Sequence, residues 1–186
     1  MKYDGGGLGG SLAVFETRKP VGIVENQVFK DGGEQRNRGI ELSLFGEPTP
    51  GGRLLGGGTL LEAELTKPQN GQNDGNEPIG VPRTQANVGG EWDVPGVNGL
   101  TLTSRVVYTS RQYVNNANSL EIPSWTRLDL GARYGFKVDD KDVTLRARLD
   151  NVAGRDYWAS AGGYPGSNYL VLGAPRTLSL SASVDF

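Results

Sequence analysis

A two-residue period runs through most of this chain and sets what it can fold into. In "DVTLRARLDN", Val143, Leu145, Ala147 and Leu149 alternate with Thr144, Arg146, Arg148 and Asp150. In "WTRLDLGARYGFK", Leu128, Leu130, Ala132, Tyr134 and Phe136 alternate with Arg127, Asp129, Gly131, Arg133 and Gly135. The same pattern recurs in "LTLTSRVVYT", "TQANVGGEWDV" and "RGIELSLFG", and closes the chain in "SLSASVDF". Successive side chains of a strand point to opposite faces, so this alternation describes strands with one apolar and one polar face. Weaker strands are expected at 9–18 and 53–66, which brings the total to about eight. No stretch shows a convincing helical period, and no proline falls at the centre of an expected strand. The fold class is therefore all-β, an antiparallel up-and-down meander.

The connections sort by length. "EPTPGGR", "DVPGVNG" and "KVDDKD" are tight turns, whereas 20–36, 67–82, 111–123 and 151–174 are long loops. Short turns at one end and long loops at the other are characteristic of a transmembrane β-barrel. A soluble antiparallel barrel or sandwich also alternates, but need not sort its loops. Two further features favour the membrane reading. The polar face is heavily charged, and the apolar-face aromatics Trp92, Tyr134, Phe136 and Phe186 gather near the short-turn ends, where a lipid interface accepts rings. Sandwich-rim packing is the plainer account of those rings.

Composition narrows the function classes. Apolar residues make up only 36% of the chain, low for a soluble core, and 29 glycines and 10 prolines suit short strands and turns. A formal charge of −2 gives no reason to expect nucleic acid as a partner. No run approaches a membrane helix, and no secretory signal opens the chain. With neither His nor Cys, ordinary triads and thiolate or imidazole metal sites are excluded. Only two-carboxylate chemistry, for instance Glu62 with Glu64, would remain, and nothing marks that pair; the chain reads as non-enzymatic, without catalytic residues, metal or covalent cofactor. "NGQNDGNEP" lacks the spaced acids of a calcium loop and reads as a solvated loop tip. "DGGGLGG" lacks the lysine and helix of a phosphate loop.

The end of the chain, "RLDNVAGRDYWAS…GAPRTLSLSASVDF", resembles the C-terminal end of TonB-dependent outer-membrane receptors. The resemblance rests on Asn151-Val152-Ala153, Asp156-Tyr157-Trp158, Gly173-Ala174-Pro175-Arg176 and the terminal Phe186; Ala153 departs from it, standing where a bulkier residue is usual. "NRGIELSLFGEP" and "IPSWTRLDLGARYGF" are similar to upstream strands of the same barrels, leaning towards the siderophore-receptor branch. The resemblance implies that residues 1–186 are a C-terminal barrel segment without plug domain or signal peptide, such as a truncated reading frame would encode. It implies the cell outer membrane, with membrane lipid, the barrel assembly machinery and, through the missing plug, TonB as partners. It further implies a fragment of a receptor for ferric siderophores, the transported ligand. The alternative is a self-contained eight-stranded barrel with a structural or adhesive role; a soluble barrel holding a lipophilic ligand fits the charged inner face poorly.

Leu180, Val184 and Phe186 carry the implied assembly signal. Tyr113, Trp158, Tyr164 and Tyr169 are the loop aromatics expected to meet the ligand, and they could equally pack the loops. Arg127, Asp129, Arg133, Arg146 and Arg148 are expected to face a plug, and could equally be a hydrated wall of ion pairs. Glu41, Glu62 and Glu64 are placed on that inner face too, with Gly56, Gly58, Gly89, Gly131 and Gly135 making room.

Overall fold

The computed structural model describes residues 2–4, 7–25, 27–68, 71–164 and 167–185, and the side chains of these except at 2–4, 24, 25 and 164. Among the described residues there is no α-helix. The strands are β1 (Lys2–Asp4), β2 (Leu8–Glu25), β3 (Val28–Thr49), β4 (Gly52–Leu65), β5 (Thr84–Asp93), β6 (Leu100–Thr109), β7 (Gln112–Tyr113), β8 (Glu121–Ile122), β9 (Trp125–Val138), β10 (Lys141–Asp150), β11 (Trp158–Tyr164), β12 (Ser167–Leu172) and β13 (Thr177–Asp185). One sheet holds β1-β2-β3-β4-β5-β6-β9-β10-β13 in that order, each strand antiparallel to its neighbours. The eight long strands are the expected meander. Two small hairpins, β7-β8 and β11-β12, sit inside the long connections.

Register gives the alternation its physical meaning. Leu54, Gly90, Ser104, Leu130, Leu149 and Leu178 stand abreast on one face. Arg53, Glu91, Thr103, Gly131, Arg148 and Ser179 stand abreast on the other. Leu128, Leu145, Leu180 and Val184 join the first row's face, as the pattern requires. Leu180 remains 73% exposed there and Val14 76%, so this face has no cover among the described residues. An apolar surface of this extent would drive aggregation in water and suits lipid. Tyr134 and Phe136 stack on this face at 5.5 Å near the short-turn end.

The short turns are chemically sharp. Asp139 (φ 48°) and Asp140 (φ 63°) form a two-residue turn between paired Val138 and Lys141. Two consecutive positive φ values give the type I′ geometry that matches strand twist. Gly51 turns the β3–β4 hairpin at φ 76°.

Three expectations need correction. First, 20–36 is not a loop: β2 and β3, of 18 and 22 residues, continue as one hairpin far beyond the roughly 10 residues that a membrane strand needs. Pro20, Gly22 and Gly32 look like breakers, yet Pro20 pairs in register with Glu34. A register shift follows at once, between Val21 and Gly22, and prolines within sheets are found beside such bulges. Gly22 and Gly32 leave the space taken by the Phe29 and Ile23 side chains. Second, Glu62 and Glu64 lie on the leucine face, in register with Arg38 and Arg36. They stand beyond Leu60, towards the loop end, where Arg36 pairs with Glu64 and Arg38 with Glu16. Gly56 and Gly58 share that face, opposite Leu44 and Leu42. Third, the 151–174 region carries the β11-β12 hairpin, and 111–123 carries β7-β8. Their few residues do not alternate long enough to be read as strands.

Candidate functional site: a charged wall and an interlocked loop layer

Two charge networks lie on the polar face. In the first, Arg53 donates to both oxygens of Asp93 (2.7 and 2.8 Å) and to Glu91 (3.1 Å). Arg133 reaches Glu91 and the Thr101 hydroxyl at 3.4 Å each. In the second, Asp129 is 3% exposed and accepts from Arg127 at 3.0 and 3.2 Å. Its other oxygen accepts the Asn151 N–H at 2.9 Å. Arg148 lies 3.8 Å from Asp129 and 2.6 Å from Asp150. Arg146 directly faces Arg133 across the ladder and donates instead to Ser183 (3.4 Å). Like charges in register are thus separated by turning towards opposite neighbours. The expected wall residues do share one face: Arg133 lies in the first network, Arg127, Asp129 and Arg148 in the second, and Arg146 in neither. Arg53, Glu91 and Asp93 complete them and were missed by sequence reasoning. Their odd-numbered places beside Leu54 and Trp92 were the available signal.

Above the wall, the long connections form a single layer. Asn118 donates to the Glu77 carbonyl at 2.9 Å and accepts the Glu77 N–H at 2.8 Å. Asn76 donates to the Asn116 carbonyl (2.8 Å), and the Gly80 N–H donates to the Tyr113 carbonyl (2.9 Å). On the other flank, Gln112 donates to the Ala159 carbonyl and accepts the Ala161 N–H, both at 3.4 Å. Gly80 has φ 70° and lies so close to the Ala161 carbonyl that no Cβ fits. Leu65, Ile122 and Ala161 are buried here, and the described core of the chain is essentially this patch with Ala63. "NGQNDGNEP" is therefore only partly a solvated tip: its Asn76 and Glu77 are the clamp between two loops, while Asn70 lies outside the described residues.

Tyr113, Trp158 and Tyr169 lie on the hairpins of this layer. Tyr113 accepts from Arg111 at 2.8 Å, with the Arg111 guanidinium 4.9 Å from its ring centre. The Tyr113 hydroxyl, followed by the Glu121 carboxylate, raises Arg111 above the ordinary guanidinium value. Trp158 opens β11, 41% exposed, and Tyr169 on β12 lays its ring over Gly162. The Tyr164 side chain and all of Phe186 lie outside the described residues; Leu180 and Val184 pair with Ala147 and Val143.

The most informative motif is a lock. Asn151 is 1% exposed at φ 52°. Its amide donates to the Arg155 and Ala174 carbonyls at 2.8 and 3.1 Å and its oxygen accepts the Arg155 N–H at 3.0 Å. Arg176 packs over Gly154 and the Tyr157 ring over Gly173. Tyr157 also meets Trp125 at 4.6 Å and accepts from Arg127 at 3.4 Å. The "DNVAGRDYW…GAPR" residues thus tie the end of β10 to the start of β13 and to the charged wall.

A sheet with one uncovered apolar face, one ion-paired face, tight turns at one end and packed loops at the other is a portion of a β-barrel wall. Comparison with known proteins agrees. Residues 1–152 match the family described as "TonB dependent receptor-like, beta-barrel". The chain is 46% identical, over its whole length, to 24% of the ferrichrome receptor FcuA of Yersinia enterocolitica. It superposes on BauA, the ferric preacinetobactin receptor of Acinetobacter baumannii, with a TM-score of 0.87 and 44% identity, covering 100% of this chain and 28% of that one. The siderophore receptor PiuA from the same species gives 0.78 and 28% identity, covering 96% and 26%. The chain belongs to the TonB-dependent receptor β-barrel family and spans about a quarter of the length of these relatives.

Proposed function

We propose that these residues form the C-terminal part of the barrel of an outer-membrane receptor that takes up ferric siderophores. In this reading, a plug outside residues 1–186 contacts TonB, and the barrel assembly machinery inserts the whole through the strand bearing Leu180, Val184 and Phe186. The supporting observation is the pairing of wall and rim: a charged face on one side of the sheet, capped at one end by an interlocked loop layer. Tyr113, Trp158, Tyr164 and Tyr169 belong to the loops of that rim, and rings there offer wide amphipathic contact to a bulky chelate at little entropic cost. Arg127, Asp129, Arg133, Arg146 and Arg148 present the wall to the interior. A self-closed eight-stranded barrel is disfavoured by the linear sheet order, in which, among the described residues, β13 pairs only with β10 and β2 only with β1 and β3.

The test is a chimera in which residues 1–186 replace the aligned segment of FcuA, expressed in a bacterium lacking other ferrichrome receptors. It should take up radioactive iron from ferrichrome in a TonB-dependent manner. Trp158→Ala and Tyr169→Ala should each weaken binding by about tenfold, equivalent to about 1.4 kcal/mol. A correctly assembled chimera that binds no ferric hydroxamate or catecholate would contradict the proposal.

A further inference from the structure

Four segments converge on one small cavity in the loop layer: the outer part of the β2-β3 hairpin, the stretch 65–79, the β7-β8 connection and the start of β12. The cavity measures about 260 Å³. Val21, Ile23, Leu65 and Ile79 supply its apolar lining. Gln72, Asn73, Asn116 and Asn168 supply polar lining, and among the described residues none of these side-chain amides has a hydrogen-bond partner. That sets them apart from the rest of the layer. Asn76, Gln112, Asn115, Asn118 and Asn151 each use the side-chain amide to hold a neighbouring loop or turn. Lys67 and Glu34 are the charged residues at the cavity, and at 3.2 Å they neutralise one another.

We infer that this cavity is a binding site for one neutral sugar ring, either free or at the end of a surface glycan. The lining rules against other ligand classes by what each would cost. An anion would lose its hydration with no unpaired cation to meet it, and a cation would find only a carboxylate already held by Lys67. A wholly apolar ligand would strip water from the four amides and leave their donors and acceptors unsatisfied. A pyranose satisfies both parts of the lining. Each hydroxyl donates and accepts, and a side-chain amide does the same through its NH2 and its carbonyl, so adjacent hydroxyls pair with one amide in both directions. The C–H faces of the ring rest against the aliphatic side chains and bury apolar surface there. Size agrees, because the cavity falls below the about 300–1,000 Å³ usual for drug-sized ligands and admits a single ring rather than a whole ferric chelate. The inference goes beyond the proposed uptake, which does not require it.

Saturation-transfer NMR on the detergent-purified chimera tests this, using the methyl pyranosides of glucose, galactose and mannose and of the three matching uronic acids. At least one neutral glycoside should bind saturably, with a Kd of about 1 mM. Its uronic acid counterpart should bind about tenfold more weakly, because its carboxylate meets no free cation. Asn116→Ala and Asn168→Ala should each weaken the bound glycoside about fivefold. The first keeps the backbone carbonyl that accepts from Asn76, so the clamp between the loops survives. Asn98→Ala, in the turn between β5 and β6, should change nothing. Heat-modifiable mobility on electrophoresis shows that each variant has assembled. Displacement of the glycoside by lipid-free outer-membrane polysaccharide would assign the site to a surface glycan, and failure to displace it would assign the site to free sugar. The inference is overturned if none of the neutral glycosides binds saturably, if the uronic acid binds as tightly, or if both assembled asparagine variants bind like the parent. Iron is absent throughout. Failure here therefore leaves the proposed uptake untouched, whereas a chimera that binds the glycoside but no ferric siderophore contradicts the proposed function alone.

Discussion

Arginine in place of Leu130 should destabilise the assembled receptor barrel by about 2–4 kcal/mol, whereas arginine in place of Thr103 should cost no more than about 1 kcal/mol. The two positions lie on adjacent strands, one register row apart and on opposite faces. Leu130 stands near the middle of β9, abreast of Ser104 and Leu149, and is exposed among the described residues. A guanidinium there must either leave water for hydrocarbon or thin the bilayer around it. Thr103 faces Glu91 and Gly131 on the charged wall, where a new guanidinium finds both space and a carboxylate. Unfolding midpoints of the chimeric receptor in phospholipid vesicles, followed in urea, measure both. Equal costs would mean that the leucine face does not meet lipid.

Asn151→Ala should be the most damaging single change outside the lipid-facing band, at about 3 kcal/mol. Two terms contribute. The substitution leaves the Arg155 N–H and the Arg155 and Ala174 carbonyls without the partner they have now. It also leaves alanine at φ 52°, a left-handed conformation whose Cβ crowding asparagine offsets with local side-chain hydrogen bonds and alanine cannot. Asn151→Gly removes the hydrogen bonds without that crowding, so it should be milder by about 1 kcal/mol. Hydrogen exchange should localise the damage: the Arg155 amide should lose protection in both variants, while the central amides of β9 keep theirs. Identical behaviour of the two variants would show that left-handed geometry at Asn151 carries no cost.

The sheet was legible because its faces differ so sharply. From Thr84 onward nearly every strand announces its inner and outer residues by alternation, and the register places them as expected. Legibility failed where alternation did. "LLGGGTLLEAEL" has three glycines and two leucine doublets, so its faces could not be separated by hydropathy. Only pairing with Leu44, Leu42 and Ile40 shows that Gly56, Gly58 and Leu60 lie outward, carrying Glu62 and Glu64 with them. The extended β2-β3 hairpin was hidden for a related reason: its proline and glycines usually break strands, and the sequence does not reveal the register shift between Val21 and Gly22 that accommodates them. In the site, the wall arginines were visible but their partners were not, since Arg53 and Asp93 are 40 residues apart. The Asn118–Glu77 clamp is just as distant, at 41 residues, and no local pattern encodes it. Asn151 was quoted as part of a family signature; its buried, left-handed geometry shows what that signature holds together.

The central claim is that this sheet is barrel wall, with its leucine face in lipid and its charged face inward. Single cysteines placed successively from Arg127 to Tyr134 on β9, labelled with a bimane fluorophore in the reconstituted chimera, test it through quenching by brominated lipids. Strong quenching at 128, 130, 132 and 134, and little at 127, 129, 131 and 133, is the expected result. Quenching that fails to alternate, or that is strongest at the odd positions, would contradict the account.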